Sequence, residues 1–372
     1  MNSRKRYILT HPLTGNYGGL LQAYALYSTI DKLGFQAHIY RYQPADMPLA
    51  IKDYWRHFKR HIKYCLGRCN EAHTVWRRLA IARKFLKGMR FFDERQLAEL
   101  PQEAAFVVGS DQVWRAIFCR MMRHPAYYFL DFVSAEQRQR SISYAASFGI
   151  DEWEGTPGET AECARLLQDF KAVSVREQSG IAICRDHMQT EAVAMPDPTM
   201  LLRREDYEAL IRKENTWELK EKALAAYVID ENGGIPQLLR TTAEKLGVSL
   251  QHLLPHADAA RRRDRFAPTV GQWLRLIRDC NYFITDSFHG CVFAIIFNKP
   301  FVCLGNEGRG SARFETLLST FGLKDRLVTD TTPEMVLQVL KTPIDWIRVN
   351  AIHRAECERG INFLKNNLTE KS

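Results

Sequence analysis

The sequence lacks long apolar runs and any cysteine spacing typical of a metal site. Its 372 residues include nine cysteines, and Cys65 and Cys69 stand four apart without a second Cys or His pair at zinc-finger distance. Apolar stretches such as Val292 to Phe297 are far too short to cross a bilayer. Because the cysteine count is odd and the first residues are polar and basic, we expect reduced thiols and a cytoplasmic protein.

Signatures of several common cofactor and catalytic sites are also missing. There is no Gly-x-Gly-x-x-Gly motif and no acidic residue after Tyr40, where the second predicted strand ends, so a dinucleotide site has little support. The chain has no P-loop, no Gly-x-Ser-x-Gly nucleophile elbow and no Asp-x-Asp pair. We therefore expect neither a bound cofactor nor a metal.

Positive charge is concentrated in one segment. Residues 52–95 contain 13 Lys and Arg against 4 Asp and Glu, a net charge of +9 that equals the net charge of the whole chain. Apolar residues recur in it at helical spacing, which predicts a basic amphipathic helix. One interpretation is a contact with an anionic surface, such as the inner membrane leaflet, a lipid-linked glycan or nucleic acid. The other interpretation is an inserted helical hairpin with a solvated outer face. We favour this second interpretation because basic helices are commoner than membrane-binding ones. We expect no nucleic-acid partner.

Strand and helix patterns alternate along the rest of the chain, which predicts parallel sheets covered by helices on both faces. We expect an α/β protein with two Rossmann-like domains facing each other across a cleft. Their ranges are residues 1–200, with the basic segment 52–95 as an insertion, residues 201–345, and a C-terminal helix at 346–372. Pro196-Asp197-Pro198 breaks the pattern and indicates the approach to the domain boundary.

The alternation assigns individual elements. Predicted strands are 6–10, 35–40, 105–108, 141–144, 172–175, 191–195, 224–229, 248–253, 282–285 and 301–304. Predicted helices are 20–33, 235–246, 270–279, 313–321, 333–340 and 346–368, with a further helix that begins after His289.

His289 stands where a strand pattern, Tyr282 to Thr285, gives way to a helical one. Open α/β sheets bind ligands at such junctions, and the first helical turn offers N–H groups and a positive dipole end to an anion. An imidazole there can hold or pass a proton near neutral pH. The alternative is that Asp286 or Ser287 only caps the helix and His289 merely lies in its first turn. From this segment alone the two interpretations are equally supported.

Two strand ends in the first predicted domain, residues 1–200, also carry polar residues or glycines. The glycines of loop 11–19 allow backbone amides to approach a ligand. In segment 109–114, the Asp111 carboxylate suits a sugar hydroxyl and the neighbouring Trp114 suits a sugar ring face. The alternative, an N-cap aspartate beside a core tryptophan, is equally well supported by the sequence.

Arginines mark two more strand ends. Arg176 follows the strand 172–175, and its planar guanidinium matches a carboxylate or phosphate; pairing with a neighbouring acid is the alternative. Arg309 and Arg313 lie in a glycine-rich loop that closes over an anion or is simply a mobile surface loop. The arginines and His289 therefore predict an anion-binding half that faces an acceptor-binding half. The acceptor-binding half comprises Asn16, Asp111 and Trp114.

Several short motifs follow one another in a fixed order between residues 7 and 326. They are Asn16-Tyr17-Gly18-Gly19-Leu20-Leu21-Gln22, Gly109-Ser110-Asp111-Gln112-Val113-Trp114, Tyr128-Phe129-Leu130-Asp131-Phe132, Ser143-Tyr144-Ala145-Ala146-Ser147-Phe148-Gly149, Ser174-Val175-Arg176-Glu177, Asp197-Pro198-Thr199, Asp286-Ser287-Phe288-His289-Gly290 and the Arg309–Arg313 loop. Each is modest alone, but as an ordered set they resemble the polysaccharide pyruvyl transferase family. The resemblance implies a two-domain fold similar to GT-B glycosyltransferases.

The resemblance implies a reaction as well. Family members transfer a pyruvyl group from phosphoenolpyruvate, a co-substrate, to two hydroxyls of a sugar, which gives a cyclic ketal in bacterial surface polysaccharides. The implied partners are phosphoenolpyruvate and a saccharide acceptor, free or lipid-linked, with a peripheral contact of residues 52–95 at the inner membrane face. Two alternatives stay open: a GT-B glycosyltransferase with a nucleotide-sugar donor, and an inactive or non-enzymatic relative that binds anionic surfaces.

The resemblance finally implies roles for single residues. His289 matches the family's histidine and is our candidate acid, Asp111 is our candidate base, and Arg176 matches the family's donor-site arginine. Ser287 stands where the family often has arginine. Either Arg309 or Arg313 supplies the missing cation, or the donor differs, or the protein is a weak or inactive relative. The donor-binding set is Arg176, Ser287, Phe288, Gly290, Arg309 and Arg313. The acceptor-binding set is Asn16, Tyr17, Gly18 and Trp114.

Overall fold

The protein is an α/β structure with two five-stranded parallel sheets, which confirms the predicted pair of Rossmann-like units. The computed structural model describes residues 4–42, 73–214, 218–219, 221–230, 233–255, 267–305 and 312–369.

The first sheet has the order β3-β2-β1-β4-β5, with all neighbouring strands parallel. Its strands are β1 (Lys5–Leu9), β2 (Gln36–Tyr40), β3 (Phe91–Phe92), β4 (Ala105–Val108) and β5 (Ile142–Ser143). A parallel pair, β6 (Ser174–Val175) and β7 (Val193–Ala194), is joined to its β5 edge by single bridges. The strand order reverses between β1 and β4, and the loops that follow these two strands diverge there to leave a crevice.

The second sheet has the order β12-β11-β10-β8-β9 and is also parallel. Its strands are β8 (Ala223–Tyr227), β9 (Ser249–His252), β10 (Tyr282–Thr285), β11 (Phe301–Leu304) and β12 (Leu327–Val328). Strands β8 and β11 are buried along their whole length, as expected for parallel strands covered on both faces. Here the order reverses between β8 and β10, which creates a second crevice.

The helices of the described residues cover both sheets. In chain order they are α1 (Tyr17–Lys32), α2 (His73–Phe85), α3 (Glu94–Leu97), α4 (Ala116–Met122), α5 (Ala135–Arg138), α6 (Pro157–Leu167), α7 (Gln178–Met188), α8 (Arg204–Lys213), α9 (Ile235–Leu246), α10 (Val270–Asp279), α11 (Phe288–Ile296), α12 (Ala312–Phe321), α13 (Pro333–Lys341) and α14 (Trp346–Leu368). None of the described helices combines the length and the apolar character that crossing a membrane requires.

The start of α1 joins the two units. The Tyr17 ring stacks on Trp273 of α10 with 5.4 Å between ring centroids, and its hydroxyl donates a 2.6 Å hydrogen bond to the Pro268 carbonyl. Leu20 and Leu21 lie in the same apolar cluster as the core of the second sheet. The first turn of α1 is therefore fixed against the second unit, at the place where the two crevices meet.

The C-terminal helix α14 ties the units together a second time. Val349, near its start, packs in the cluster that contains the core of the second sheet. Leu364 and Leu368, near its end, are buried in a cluster with Ile8 of the first sheet. The Arg6 guanidinium, which is buried, donates to the Leu368 carbonyl and so satisfies a carbonyl at the end of the helix. The predicted boundary at residue 200 stays a prediction.

The basic segment is described only in part, and the helical hairpin that the charge pattern favours stays a prediction. Residues 52–72 lie outside the described part. His73–Phe85 forms α2, whose Ile81 and Ala82 are buried while Arg83 is exposed. Helix α2 ends at Phe85, and Gly88 adopts a left-handed φ of 94°. Strand β3 then pairs with β2, because two aromatic residues next to a buried strand gain more from the sheet than from a solvated helix.

Candidate functional site

A cavity of about 440 Å³ lies where the two crevices meet. Four of the segments that line it follow the strands at which the strand order of each sheet reverses: β1 and β4 in the first sheet, and β8 and β10 in the second. Ligands of open α/β sheets bind at such switch points. The lining residues include His11, Asn16, Asp111, Arg115, Ile229, Asp286, Ser287, Phe288, His289 and Arg313.

His289 lies in the first turn of α11 and faces this cavity. Ser287 is the N-cap: its hydroxyl accepts a 3.4 Å hydrogen bond from the Gly290 N–H. The Asp286 carboxylate accepts hydrogen bonds of 2.7 and 2.9 Å from the N–H groups of Ile229 and Asp230, so it ties the end of β10 to that of β8. Capping and cavity lining therefore coexist, and the two interpretations of this junction do not exclude each other.

The first turn of helix α1 packs closely against the imidazole of His289. Asn16 caps α1 by accepting hydrogen bonds from the N–H groups of Gly18 and Gly19, at 3.1 and 3.5 Å. A Cβ atom placed on Gly18 would lie 2.1 Å from His289 Nδ1, far inside any normal contact. Gly18, predicted to bind the acceptor, thus leaves room for the ring of His289, while Asn16 is exposed and lines the cavity.

Asp197 contacts Arg176, His289 and Thr199 beneath the cavity. Its Oδ2 lies 3.0 Å from Arg176 Nη1 and 3.5 Å from His289 Nε2, and its Oδ1 accepts a 2.6 Å hydrogen bond from the Thr199 hydroxyl. Burial would raise the pKa of Asp197, but His289, Arg176 and Thr199 outweigh it and hold the pKa well below its usual range. A protonated His289 therefore has a fixed counter-charge at its Nε2 edge.

Asp111 lies at the end of β4 with a left-handed φ of 72°. Its Oδ1 accepts a 3.0 Å hydrogen bond from the Gln112 N–H and lies 3.7 Å from Arg176 Nη2. Burial raises its pKa, but the charges of Arg176, His11, His289 and Arg313 lower it more, so the net pKa is below the ordinary value. Asp111 is therefore an ionised hydrogen-bond acceptor in the cavity wall.

Arg176 lies one layer behind the cavity wall and does not line the cavity, although a direct contact with the donor is predicted from the sequence. Its side chain is 2% exposed, and its guanidinium stacks over the Phe288 ring at 4.6 Å. Nε and Nη2 make no hydrogen bond within the part of the chain that the structure describes. Its guanidinium faces three carboxylates, at 3.0 Å from Asp197, 3.7 Å from Asp111 and 3.9 Å from Glu177, so the charge of Arg176 holds these acids in place behind the cavity.

Two other arginines face the cavity itself. Arg313, at the start of α12, is buried, and burial followed by the repulsion from Arg176 lowers its pKa to about 10, so it remains a cation at neutral pH. Arg115 donates a 3.3 Å hydrogen bond to the Gln112 side chain and stacks over Phe118. Arg309, also predicted to bind the donor, lies outside the described residues.

Three predicted site residues serve packing instead. Trp114 is fully buried and stacks on Phe129, with ring centroids 5.0 Å apart, and its predicted sugar contact is corrected to the core alternative. Tyr17 is likewise buried between the units and does not line the cavity. Gly290 also lies outside the lining; a Cβ there would be 2.3 Å from Thr285 Oγ1, so its glycine permits close packing of α11 on β10.

Asp197, His11 and Arg115 belong to the site but are absent from the predicted set. The sequence contains Asp197 in a Pro-Asp-Pro run, which indicates a chain break and gives no sign of its contact with His289, 92 positions later. His11 opens the glycine-bearing loop but carries no distinctive spacing. His11 could have been found as a polar residue at the end of a predicted strand. For Asp197, the only indication in the sequence is its place in the ordered set of motifs.

The cavity suits an anionic ligand and proton transfer. Arg115, Arg313 and His289 face it, and Arg176 supports it from behind. The Asp111 carboxylate lines the same cavity, and Asp197 pairs with Arg176 and His289 behind it. Among the described residues, no group of three or more His, Cys, Asp or Glu side chains is arranged to hold a metal ion. Preorganised cations around a titratable imidazole can bind an anion and stabilise charge that develops on it.

Comparisons with known proteins identify a family and a fold. The family model for polysaccharide pyruvyl transferase matches residues 16–308. No curated protein matches the sequence. Among solved structures, S. aureus MnaA with UDP is similar with a TM-score of 0.52, at 12% identity over 99% of both chains. Arabidopsis thaliana UGT89C1 with UDP-L-rhamnose has a TM-score of 0.50, at 8% identity over 98% of both chains. At these identities the likeness shows a GT-B-like fold alone.

Proposed function

The chain belongs to the polysaccharide pyruvyl transferase family, and we propose that it moves a pyruvyl group from phosphoenolpyruvate to two hydroxyls of a saccharide. The observation that carries the proposal is the position of His289, which faces a cation-lined cavity at the start of α11 with a buried carboxylate behind it. Phosphoenolpyruvate needs both features, because it carries a phosphate and a carboxylate and reacts by protonation at carbon.

In this proposal the anionic groups of the donor bind Arg313, Arg115 and the first turn of α11. Arg313 occupies the same cavity as Ser287, the position at which related proteins often carry arginine. A guanidinium offers a planar pair of N–H donors to a phosphate or carboxylate, so Arg313 supplies the cation that Ser287 lacks. Arg176 packs behind Phe288 and holds the Asp111 and Asp197 carboxylates in position.

His289 is the proposed acid. Its protonated imidazole gives a proton to the methylene carbon of phosphoenolpyruvate, and the adjacent carbon becomes electrophilic. Asp197 balances the charge of the protonated ring, and Gly18 fixes the ring position from the opposite unit. The cations around the cavity stabilise the negative charge that collects on the phosphate as it leaves.

The acceptor half completes the reaction. A sugar hydroxyl, oriented by Asp111 and Asn16, attacks the electrophilic carbon and loses its proton to a base. The bond from that carbon to the phosphate oxygen breaks, inorganic phosphate leaves, and a second hydroxyl closes the ketal with loss of its own proton. The products are a pyruvyl ketal and phosphate. The proposed acceptor is a glycan, free or lipid-linked, and contact of residues 52–95 with an anionic membrane surface is compatible with the lipid-linked form.

Ligand-induced thermal shifts test the donor. Because a ligand that binds the native state raises its melting temperature, phosphoenolpyruvate should raise the melting temperature more than UDP-sugars do. Phosphate release in the presence of a panel of glycans then measures turnover. We expect His289→Ala and Arg176→Ala each to abolish release, and His187→Ala, at an exposed site on α7, to leave it intact. Near-normal release by both site variants, or a shift with UDP-sugars alone, would refute the proposal.

A further inference from the structure

His11 occupies the acceptor side of the cavity and has no part in the scheme above. It follows β1, at the switch point of the first sheet, and lines the cavity. Its Nδ1 lies 3.2 Å from the Tyr128 hydroxyl, which lies 2.6 Å from the Tyr42 hydroxyl. The ring also meets Phe118 and Tyr128 edge-on, with centroids 6.4 and 5.2 Å away. The imidazole is thus held at one nitrogen and by two aromatic rings.

The other nitrogen of this ring has no hydrogen-bond partner in the part of the chain that the structure describes. His11 Nε2 is buried and makes no hydrogen bond to any described residue. Buried polar atoms in proteins are nearly always paired, so an unpaired one in the wall of a cavity points to a ligand group that pairs with it. When Nδ1–H donates to the Tyr128 oxygen, the Nε2 lone pair is free to accept a proton.

The proposed reaction needs a proton acceptor on this side. Both attacking hydroxyls must lose a proton, and His289 is committed to giving one to the donor. Asp111, the base predicted from the sequence, is a weak proton acceptor, because its low pKa reflects stabilisation of its ionised form by Arg176 and other cations. The Asp111 charge instead stabilises a cation that forms nearby, and His11 is one of the groups with which it interacts.

Given the proposed pyruvyl transfer, we infer that His11 is a second catalytic residue, the base that deprotonates the acceptor hydroxyls. Nε2 takes the proton as the hydroxyl oxygen forms its bond to the electrophilic carbon of the donor. The imidazolium that results is held by the Tyr128 oxygen at Nδ1 and balanced by Asp111. It returns the proton to the departing phosphate, after which the neutral ring accepts the proton of the second hydroxyl. That proton passes to solvent, and His289 regains from solvent the proton that it gave to the methylene carbon.

The test compares His11→Ala with the wild type in the phosphate-release assay. A positioned base contributes about 10²- to 10⁴-fold to rate, so we expect kcat to fall by that factor. The thermal shift with phosphoenolpyruvate should persist, because His11 does not hold the donor. Added imidazole should restore part of kcat in His11→Ala and none in His289→Ala, since the second ring is packed against Gly18. Tyr128→Phe, which removes only the hydroxyl that holds Nδ1, should lower kcat less than His11→Ala does.

Separate outcomes refute the inference and the proposed function. If the wild type releases phosphate and His11→Ala keeps at least a third of its kcat, His11 is not the base, while pyruvyl transfer stands. A loss of kcat in His11→Ala without imidazole rescue, together with loss of the donor-induced thermal shift, would make His11 a structural residue and overturn the inference. If the wild type neither binds phosphoenolpyruvate nor releases phosphate from it, pyruvyl transfer fails and the role of His11 fails with it.

Discussion

Replacing Gly18 with alanine tests the position of the His289 imidazole, because the substitution displaces the imidazole without removing it. The new Cβ would lie 2.1 Å from Nδ1 and 2.4 Å from Cγ of the imidazole. Comfortable contacts between such atoms begin at roughly 3.5 Å, so one partner must move by about 1.4 Å. Gly18 is held by the first turn of α1, whereas the imidazole is a side chain that can rotate. The imidazole of His289, which is the proposed acid, should therefore move.

The size of the effect follows from that displacement. A misplacement of about 1 Å at a reacting group can lower the rate by roughly 10²-fold, so we expect kcat/KM for phosphate release to fall by about 10²-fold. Stability should change little: alanine gains about 1 kcal/mol over glycine within a helix, which offsets part of an overpacking cost of about 1–3 kcal/mol. The net destabilisation should thus be about 2 kcal/mol or less.

Gly19→Ala is the matched control. It makes the same change one residue later in α1; Gly19 also lines the cavity, but its Cβ would meet its nearest atoms, in Asn16 and Asp111, at 3.8 Å, an ordinary contact. Activity is measured as phosphate release, and stability as chemical unfolding of each variant. We expect a far smaller loss of kcat/KM in Gly19→Ala than in Gly18→Ala. If Gly18→Ala is folded and keeps more than a third of the wild-type kcat/KM, the proposed clamp on His289 is wrong.

Three further predictions concern the buried charges. Asp197→Asn removes the counter-charge that Arg176 and His289 share, while Asp111 and Glu177 stay 3.7 and 3.9 Å from Arg176. Chemical denaturation should therefore show a loss of about 1.5–3 kcal/mol, as for a lost charged hydrogen bond; a loss below about 0.5 kcal/mol would contradict this role. The pKa of Asp197 is lowered in the folded state, so its stabilising contribution is complete above its ordinary pKa of 3.8 and is lost as the pH falls below that value. The stability of Asp197→Asn should therefore fall less steeply with acid pH than that of the wild type. Parallel curves of stability against pH for the two proteins would count against the lowered pKa. Arg313→Gln should raise the KM for phosphoenolpyruvate by about 10-fold or more, as expected for a lost charged hydrogen bond, and adding Ser287→Arg should restore part of the affinity. No gain in the double variant would mean that the two positions do not share a ligand.

Elements with a strong local pattern could be predicted from the sequence. The bounds of α9, α10, β11 and α14 match those predicted, because amphipathic periodicity or a fully apolar run extends over each whole element. Strands β3 and β12 were not predicted, since two residues show no period and their pairing depends on the neighbouring strand. The fold class thus followed from alternation, while short edge elements required the tertiary structure.

The site was predicted less completely than the fold. Residues at the ends of the central strands, such as Asp111 and His289, could be found because parallel strands bring their carboxyl ends to one edge. Trp114 was misassigned, because nothing local distinguishes a tryptophan that faces a cavity from one that stacks on Phe129 inside the core. Asp197 was missed because its partners are distant in sequence, and only folding brings them to within 3.5 Å.

The central claim is that the cavity beside His289 binds phosphoenolpyruvate, and an experimental structure of the protein with this compound tests it most directly. The account predicts the phosphate or carboxylate within hydrogen-bond distance of Arg313 and the first turn of α11, with the methylene carbon facing the His289 imidazole. A cavity that stays free of phosphoenolpyruvate at saturating concentration, or that binds the diphosphate of a UDP-sugar in its place, would contradict the account.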